Sequence, residues 1–419
     1  MAFLYNIGIQ SYWLLLKLAK PFHAKAAKML SGRKGVFKEI SEKMAENQAP
    51  VAWFHCASLG EFEQGRPLIE TFAQLHPAYK IVLTFFSPSG YEVRKNYSGA
   101  HYVFYLPADT AANASRFLDL VKPQLAVFVK YEFWYHYLQQ LHQRRIPVIS
   151  VSAIFRPEQV FFKPYGSFYR NILKQFTHIF TQNEQSVKLL QQAGISHTSV
   201  AGDTRFDRVL QTAVSVKSIP LVELFVDNEQ VFMIGSSWPQ DMQVLLPFIK
   251  EHLFQLKFII APHEIHEKEV QELVAEFPLQ TMRFSKANLD TVSDARVLII
   301  DNIGMLSSLY QYGTYAYIGG AFGKGLHNTL EAAVFGLPLF FGPNYTKFQE
   351  AKDLIELGCA FPVQTTQELE HKFSAISTDV LKRNQLSEQE IAYIHRQSGA
   401  TAKIMAAVQQ WLPQNQQQA

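Results

Sequence analysis

Cysteine is nearly absent from this chain: Cys56 and Cys359 are the only two in 419 residues. They stand far apart, outside any C-x-x-C or Cys/His spacing, so neither a disulfide framework nor a zinc site is expected, and a reducing compartment fits. Long apolar runs are missing too. The stretch from Phe3 to Leu18 is interrupted by Asn6, Gln10, Ser11 and Lys17, short of the roughly 20 apolar residues that a spanning helix needs. A signal peptide is not expected either, because the stretch has no basic start. There is no Walker A sequence, and no G-x-G-x-x-G opens either half with an acid about 20 residues on, which disfavours a dinucleotide dehydrogenase. Acid is absent from the first 38 residues, which carry Lys17, Lys20, Lys25, Lys28, Arg33, Lys34 and Lys38.

That last absence relocates the charge. The whole chain is +3, but the first 38 residues alone are +7. From Glu39 onward 32 basic residues face 36 acidic ones, so the basic character is confined to the N-terminus. A basic segment directly after the apolar stretch predicts a helix lying in or on a membrane interface, with Tyr12 and Trp13 at headgroup depth and the lysines facing anionic lipid. Each such lysine contributes about 1 kcal/mol. An ordinary core helix with solvated lysines is the competing reading. Nucleic acid is not an expected partner, since no basic stripe interleaved with aromatics recurs downstream.

Hydrophobic residues at 48% and charged residues at 18% describe a chain that buries large cores rather than a disordered one. Its length implies two domains. Short β-branched or aromatic runs alternate with helix-length segments at Val51–Ala57, Lys80–Ser87, His101–Leu106, Leu125–Lys130, Val148–Ala153 and His178–Thr181. The alternation restarts at Val231–Ser237, Lys257–Ala261, Arg296–Asp301, Tyr315–Ile318 and Pro338–Phe341. The expected fold is α/β, with two Rossmann-like domains and a deep interdomain cleft. The division falls near residues 209 to 222, giving domains 1–212 and 213–419. A final helical pattern runs from Ser387 to Leu412 and ends in the polar tail Pro413–Ala419.

Three stretches carry candidate chemistry. Gly319 to Glu331 follows an apolar strand and runs into a helix, so its glycines and the N–H groups at the helix start suit a phosphate, with Glu331 about one turn inside the helix. A tight turn that merely needs small residues is the alternative. The second loop, Gly235-Ser236-Ser237-Trp238-Pro239, reads equally as further phosphate donors or as a helix start capped by Ser237 with Pro239 in the first turn. The third, His55 to Glu63, closes a buried strand and opens a helix. Ser58 and Glu61 have capping-box spacing, which stands level with the reading of Glu61 as a general base whose pKa is raised by partial burial. Glu132, in Tyr131-Glu132-Phe133-Trp134, follows another strand and reaches the same face.

These pieces, in this order, resemble the bacterial Kdo transferases, which transfer the acid sugar 3-deoxy-D-manno-octulosonic acid (Kdo). The resemblance rests on His55 to Glu61, Tyr131 to Trp134, Gly202-Asp203-Thr204-Arg205-Phe206-Asp207, Gly319 to Glu331, Gly342-Pro343 with Lys347-Phe348-Gln349-Glu350, and Gly32-Arg33-Lys34. It implies a GT-B glycosyltransferase that inverts configuration while moving Kdo from CMP-Kdo to lipid IVA at the cytoplasmic face of the inner membrane, in lipopolysaccharide biosynthesis. No cofactor or metal is implied, in keeping with the lack of any Asp-x-Asp. By position Glu61, Glu132 and Arg205 are the implied catalytic residues, and Ser58 and Gly60 line the acceptor. CMP falls to Pro262, His263, Ile303, Gly304, Met305, Gly319, Gly320, Asn328 and Glu331. The chain departs from the family in having His263 where Arg is common, Arg205 for Lys, Met305 for Glu, Leu326 for a glycine and Ala321 for a serine. Another GT-B transferase or epimerase, or a catalytically silent nucleotide- or lipid-binding protein, are the readings left beside it.

Overall fold

A computed structural model describes residues 2–277, 280–323 and 325–413. The chain divides into two compact units, residues 1–208 with 398–419, and residues 209–397.

In the first unit, three helices precede the sheet: α1 (Ala2–Ala19), α2 (Ala24–Ser31) and α3 (Val36–Met44). The strands are β1 (Val51–Cys56), β2 (Lys80–Phe85), β3 (Tyr102–Tyr105), β4 (Pro123–Val129), β5 (Val148–Ala153), β6 (His178–Thr181) and β7 (Thr198–Val200). All pair in parallel, in the order β3-β2-β1-β4-β5-β6-β7. The period of two along each strand separates the core. Trp53, Val82, Phe104 and Phe128 enter one apolar cluster, while Phe54, Leu83, Phe85 and Val127 enter the other. Both faces are covered, as parallel sheets require. Helix α4 (Leu59–Leu75) covers the second face.

The second unit repeats this plan. Its strands are β8 (Val231–Ser237), β9 (Lys257–Pro262), β10 (Thr281–Arg283), β11 (Val297–Ile299), β12 (Tyr315–Ile318), β13 (Leu339–Phe341) and β14 (Ala360–Pro362). They too are all parallel, in the order β10-β11-β9-β8-β12-β13-β14. Two parallel α/β units with the GT-B plan are what the alternating pattern predicts.

The expected boundaries need correction at both ends of the second unit. The helix Thr204–Ser215 runs across the division, which follows Arg208. The C-terminal segment does not belong to the second domain at all. The long helical pattern breaks at Ser398-Gly399, between helices Val380–Gln397 and Ala400–Val408, and Ile404, Met405 and Val408 pack into the cluster beside α4. Burying each of these side chains stabilises the unit by roughly 1.5–3 kcal/mol. Asp207 fixes the return by accepting the Gly399 and Thr401 N–H groups at 2.6 and 2.7 Å and the Thr401 hydroxyl at 2.6 Å. A carboxylate at a helix N-terminus satisfies orphan donors and meets the positive end of the dipole.

Candidate active site

Strand β1 delivers His55 fully buried. Its Nδ1 lies 2.8 Å from Thr84 Oγ1, and its Nε2 lies 2.9 Å from Glu132 Oε2. Trp134 Nε1–H donates to the same Glu132 oxygen at 2.6 Å. Glu132 is thus buried but held by two donors, which is the condition for keeping a carboxylate out of water.

Just beyond β1, Ser58 occupies the N-cap position of α4, but its side chain accepts nothing from the helix backbone. Its hydroxyl instead donates to Glu61 Oε2 at 3.0 Å. The capping box allowed by the spacing is therefore not built. Burial, then the nearby charge of Glu132, push the Glu61 carboxyl above the ordinary glutamate range, against the opposing pull of the Ser58 bond, His55 and Lys130. Raised and half-buried, Glu61 binds a proton more readily than a free glutamate does. Gly60 is exposed, and a Cβ there would meet no atom within 4 Å.

Arg205 stands in the first turn of the helix that begins at Thr204. Asp203 fixes it: Arg205 Nε–H donates to Oδ2 at 2.8 Å and the Arg205 backbone N–H to Oδ1 at 2.9 Å. Burial opposes the charge on Asp203, but Arg205 and then Lys130 overcome it and hold the carboxyl below its usual value. Lys130 directly follows β4 in a left-handed backbone conformation, φ 67°. Two cations, Arg205 and Lys130, and three carboxylates, Glu61, Glu132 and Asp203, thus gather at the carboxyl edge of a parallel sheet, where ligands of this architecture bind.

In the second unit the glycine loop behaves differently from the expectation. Gly319 is required by close approach, because a Cβ would lie 2.2 Å from Ser236 O, and Gly320 by its φ of 95°. The loop's donors are largely spent internally. Gly320 N–H goes to Asp241 Oδ2 at 2.9 Å, Gly323 and Gly325 N–H to Gly320 O, His327 N–H to Gly319 O, and Leu330 N–H to Asn328 Oδ1 at 3.2 Å. The following helix is one turn, Leu330–Ala333, with Glu331 its second residue rather than a turn inside. A helix that short carries little of the aligned dipole that a phosphate would feel, so the expected helix-start cradle is corrected to a loop shaped from within. Lys324 lies outside the described residues.

The loop Gly235 to Pro239 is corrected as well. The N-cap is Trp238, not Ser237, with Pro239 first in the helix Pro239–His252. Buried Asp241 accepts the Trp238 N–H at 2.9 Å and the Tyr317 hydroxyl at 3.0 Å besides Gly320 N–H, so one carboxylate joins both loops. Over them lies a stack. The His263 ring sits 4.4 Å from Trp238 and 4.4 Å from His327 between centroids, and Trp238 Nε1–H donates to His327 Nε2 at 3.1 Å. Burial and His263 bring His327 down to about 4, so it is a neutral acceptor at pH 7. Pro262 ends β9 beside this stack. Asn328 Nδ2 donates to Glu331 Oε1 at 3.0 Å. Ile303 is 92% exposed, next to Gly304 and to Met305 at the start of the helix Leu306–Leu309. No group of three or more His, Cys, Asp and Glu side chains among the described residues is placed to hold a metal ion.

Comparison with known proteins finds Kdo transferases as relatives. The model of the 3-deoxy-D-manno-octulosonic-acid transferase (kdotransferase) family matches residues 29–208. The Kdo transferase of Rickettsia felis is 27% identical over 328 residues, which is 76% of this chain and 69% of its own. That of Aquifex aeolicus is 29% identical over 332 residues, 77% of this chain and 85% of its own. Along most of its length the chain is similar to Kdo transferases. Among solved structures, the UDP-GlcNAc 2-epimerase of Neisseria meningitidis bound to UDP-GlcNAc superposes with a TM-score of 0.63 at 17% identity, covering 86% of this chain and 100% of that one. That likeness is one of fold.

Within this fold, the structure brings Glu61, Ser58, Glu132 and Arg205 to one sheet edge, and Pro262, His263, Gly319 and Gly320 to the loops tied by Asp241. Sequence reasoning assigned no role to His55, Lys130, Trp134, Asp203, Trp238, Asp241 or His327. Only Asp241 had a local signal, as the third residue of a helix opened by Pro239. Most of the others, unlike Asp203 beside Arg205, are joined by contacts between residues far apart in sequence, such as His55 and Trp134.

Proposed function

We propose that this chain is an inverting glycosyltransferase that transfers Kdo from CMP-Kdo to lipid IVA in lipopolysaccharide biosynthesis. Glu61 takes the proton from an acceptor glucosamine 6-hydroxyl as its oxygen bonds to the Kdo anomeric carbon. The bond from that carbon to the phosphate oxygen breaks, and CMP leaves with the electron pair. Arg205, with Lys130, offsets the negative charge that develops, and Glu132, held by His55 and Trp134, keeps the cluster charged and ordered. Ser58 and Gly60 contact the acceptor. CMP is held through Pro262, His263, Ile303, Gly304, Met305, Gly319, Gly320, Asn328 and Glu331. The reaction as drawn uses no cofactor.

The observation that carries this reading is the state of Glu61: relieved of helix capping, held by Ser58 and raised by burial. Location at the cytoplasmic face of the inner membrane is supported by α1, in which Phe3, Leu4, Ile7, Leu14, Leu15 and Leu18 form an exposed apolar stripe. No single helix among the described residues is long and apolar enough to cross a membrane.

Incubating purified protein with lipid IVA and enzymatically regenerated CMP-Kdo tests the proposal. Wild type yields Kdo-lipid product, and folded Glu61→Gln loses about 10²- to 10⁴-fold in rate, the usual contribution of a general base. No product from wild type where a known family member works sinks the substrate assignment, while an unimpaired Glu61→Gln sinks the base alone.

A further inference from the structure

At the carboxyl edge of the first sheet, two neighbouring strands end in strained residues. Lys130, directly after β4, has φ 67°, and Ser152, near the end of β5, has φ 52°. Residues other than glycine rarely hold such conformations, and where they do the surroundings fix them, often beside a binding site. Here the Lys130 N–H donates to Val151 O at 2.9 Å, Gln182 Nε2–H donates to Ser152 O at 3.1 Å, and the Ser152 and Thr204 hydroxyls meet at 2.8 Å. The chain beyond β5 is fixed as well. Phe155 N–H donates to the buried Ser186 Oγ at 2.9 Å, and Arg156 N–H to Gln159 Oε1 at 2.9 Å.

These pinned backbones present three donors. Arg156 is exposed and hydrogen-bonds the Tyr131 hydroxyl. A guanidinium can only donate, so the tyrosine oxygen accepts and its own hydrogen is left to give. Burial pushes the Tyr131 pKa up, with Arg156 pulling it partly back, so the hydroxyl keeps that hydrogen at neutral pH. Lys130 Nζ lies 5.7 Å from the centre of the Tyr131 ring and acts on both Glu61 and Asp203. Those carboxylates have donors already: Glu61 has Ser58, Asp203 has Arg205, and Glu132 beside them has His55 and Trp134. Among the described residues Arg156 forms no ion pair with any of them. Two cations and a phenol hydrogen suit an anion better than a neutral sugar face, whose hydroxyls ask for acceptors as well as donors.

We propose that Lys130, Tyr131 and Arg156 form the subsite for the carboxylate of the sugar being transferred. In a 2-ulosonic acid such as Kdo that carboxylate is bonded to the anomeric carbon, so it lies beside the oxygen that Glu61 deprotonates. Arg156 pairs with it through a planar fork that fits a carboxylate, Tyr131 donates its hydroxyl hydrogen, and Lys130 closes the side toward Glu61. This role rests on the transfer reaction proposed above and supplies its preference for an acid sugar, since a neutral one leaves the donors of the subsite unpaired. Holding the carboxylate also fixes which face of the anomeric carbon meets the acceptor hydroxyl.

Steady-state kinetics of the full chain with CMP-Kdo and lipid IVA test the subsite. In Arg156→Gln the KM for CMP-Kdo rises about tenfold to a hundredfold, the worth of a hydrogen bond between charged groups. Inhibition by CMP, which has no carboxylate, and the KM for lipid IVA stay unchanged. Tyr131→Phe shows a smaller rise, and Arg156→Lys recovers part of the loss because charge returns without the fork. A CMP inhibition constant that weakens in step with the KM means a nucleotide contact, and an acceptor KM that rises instead means that the anion belongs to the acceptor. Either outcome, or an unchanged KM for CMP-Kdo, overturns the subsite. Saturation-transfer NMR with free Kdo and its methyl ester reads the same contacts without transfer. Wild type favours the acid over the ester and Arg156→Gln does not, whereas an acid signal no stronger than the ester's in wild type overturns the subsite even where product forms. Absence of product counts against the transfer reaction alone.

Discussion

In the first unit the buried carboxylates each face named donors: Asp109 has Tyr5 and two backbone N–H groups, Glu132 has His55 and Trp134, and Asp203 has Arg205 and Gln64. In the second unit Asp241 is a carboxylate of that kind. It also has Glu390, fully buried with neither oxygen partnered. The contrast separates two ways of making a site. At the ends of β1 and β4, charge is concentrated and oriented, which suits bond-making. At the ends of β8 and β12, backbone shape is fixed by one carboxylate and close-packed glycines, and the exposed surface is an aromatic and imidazole stack, which suits holding a ligand.

If shape in the second unit depends on Asp241, removing that carboxylate has a large effect. Asp241→Ala strips the Trp238 and Gly320 N–H groups and the Tyr317 hydroxyl of their acceptor at once. With roughly 1–3 kcal/mol for each stranded buried donor, and partial relief by water, the expected loss of stability is about 2–4 kcal/mol. Urea unfolding measures it. Donor KM rises in the same variant while Glu61 chemistry at saturating donor persists. A variant as stable as wild type, with unchanged donor KM, removes the distinction between the two units.

Much of this contrast was written locally in the chain, and some of it was not. Val148–Ala153 and Val231–Ser237 stand where their apolar runs put them, because a buried central strand must be apolar on both faces. The three strands missed, β7, β10 and β14, are three-residue edge strands, too short to show a run. The C-terminal helix keeps its helical period, but nothing local says that it joins the first unit. That depends on Asp207, some 190 residues away, and on apolar partners beside α4. Among site residues, Glu61 and Ser58 were legible as a pair, yet their spacing fits capping and chemistry alike, and only the direction of the hydroxyl separates the two. Lys130 and Trp134 gained roles only when the sheet set β4 beside β1.

Glu390 offers a smaller test of the same comparison. Burial alone holds its carboxyl well above the ordinary value, so the folded state binds a proton that the unfolded state releases above about pH 4.3. The folded pKa exceeds the unfolded one, so the neutral form has its full benefit below that pH, and stability falls as pH rises toward the folded value, by up to about 1.4 kcal/mol per pH unit. Glu390→Met removes the titrating group with little change of volume. It is expected to stabilise the protein by about 1–3 kcal/mol at pH 8 and to flatten the pH dependence of urea midpoints. A midpoint that falls, with its pH slope intact, means that a partner satisfies Glu390 after all.

The smallest expected effect falls on the first unit and asks whether its charge is tuned as well as ordered. The Ser58 hydroxyl donates to Glu61 and so favours the carboxylate, opposing burial and Glu132. Ser58→Ala therefore raises the Glu61 pKa further. A base must be ionised to act, so the acidic limb of kcat/KM, along which activity is lost as pH falls, moves to higher pH. Above that limb the rate changes by less than about tenfold, since a hydrogen bond to a charged group is worth roughly 1.5–3 kcal/mol and only part of it bears on the transition state. Stability barely changes, because the Ser58 hydroxyl accepts nothing from the α4 backbone. A capping serine behaves in the opposite way: its removal costs about 1 kcal/mol of stability and leaves the pH profile in place. The two outcomes assign the Ser58-Glu61 pair to tuning or to capping from a single variant.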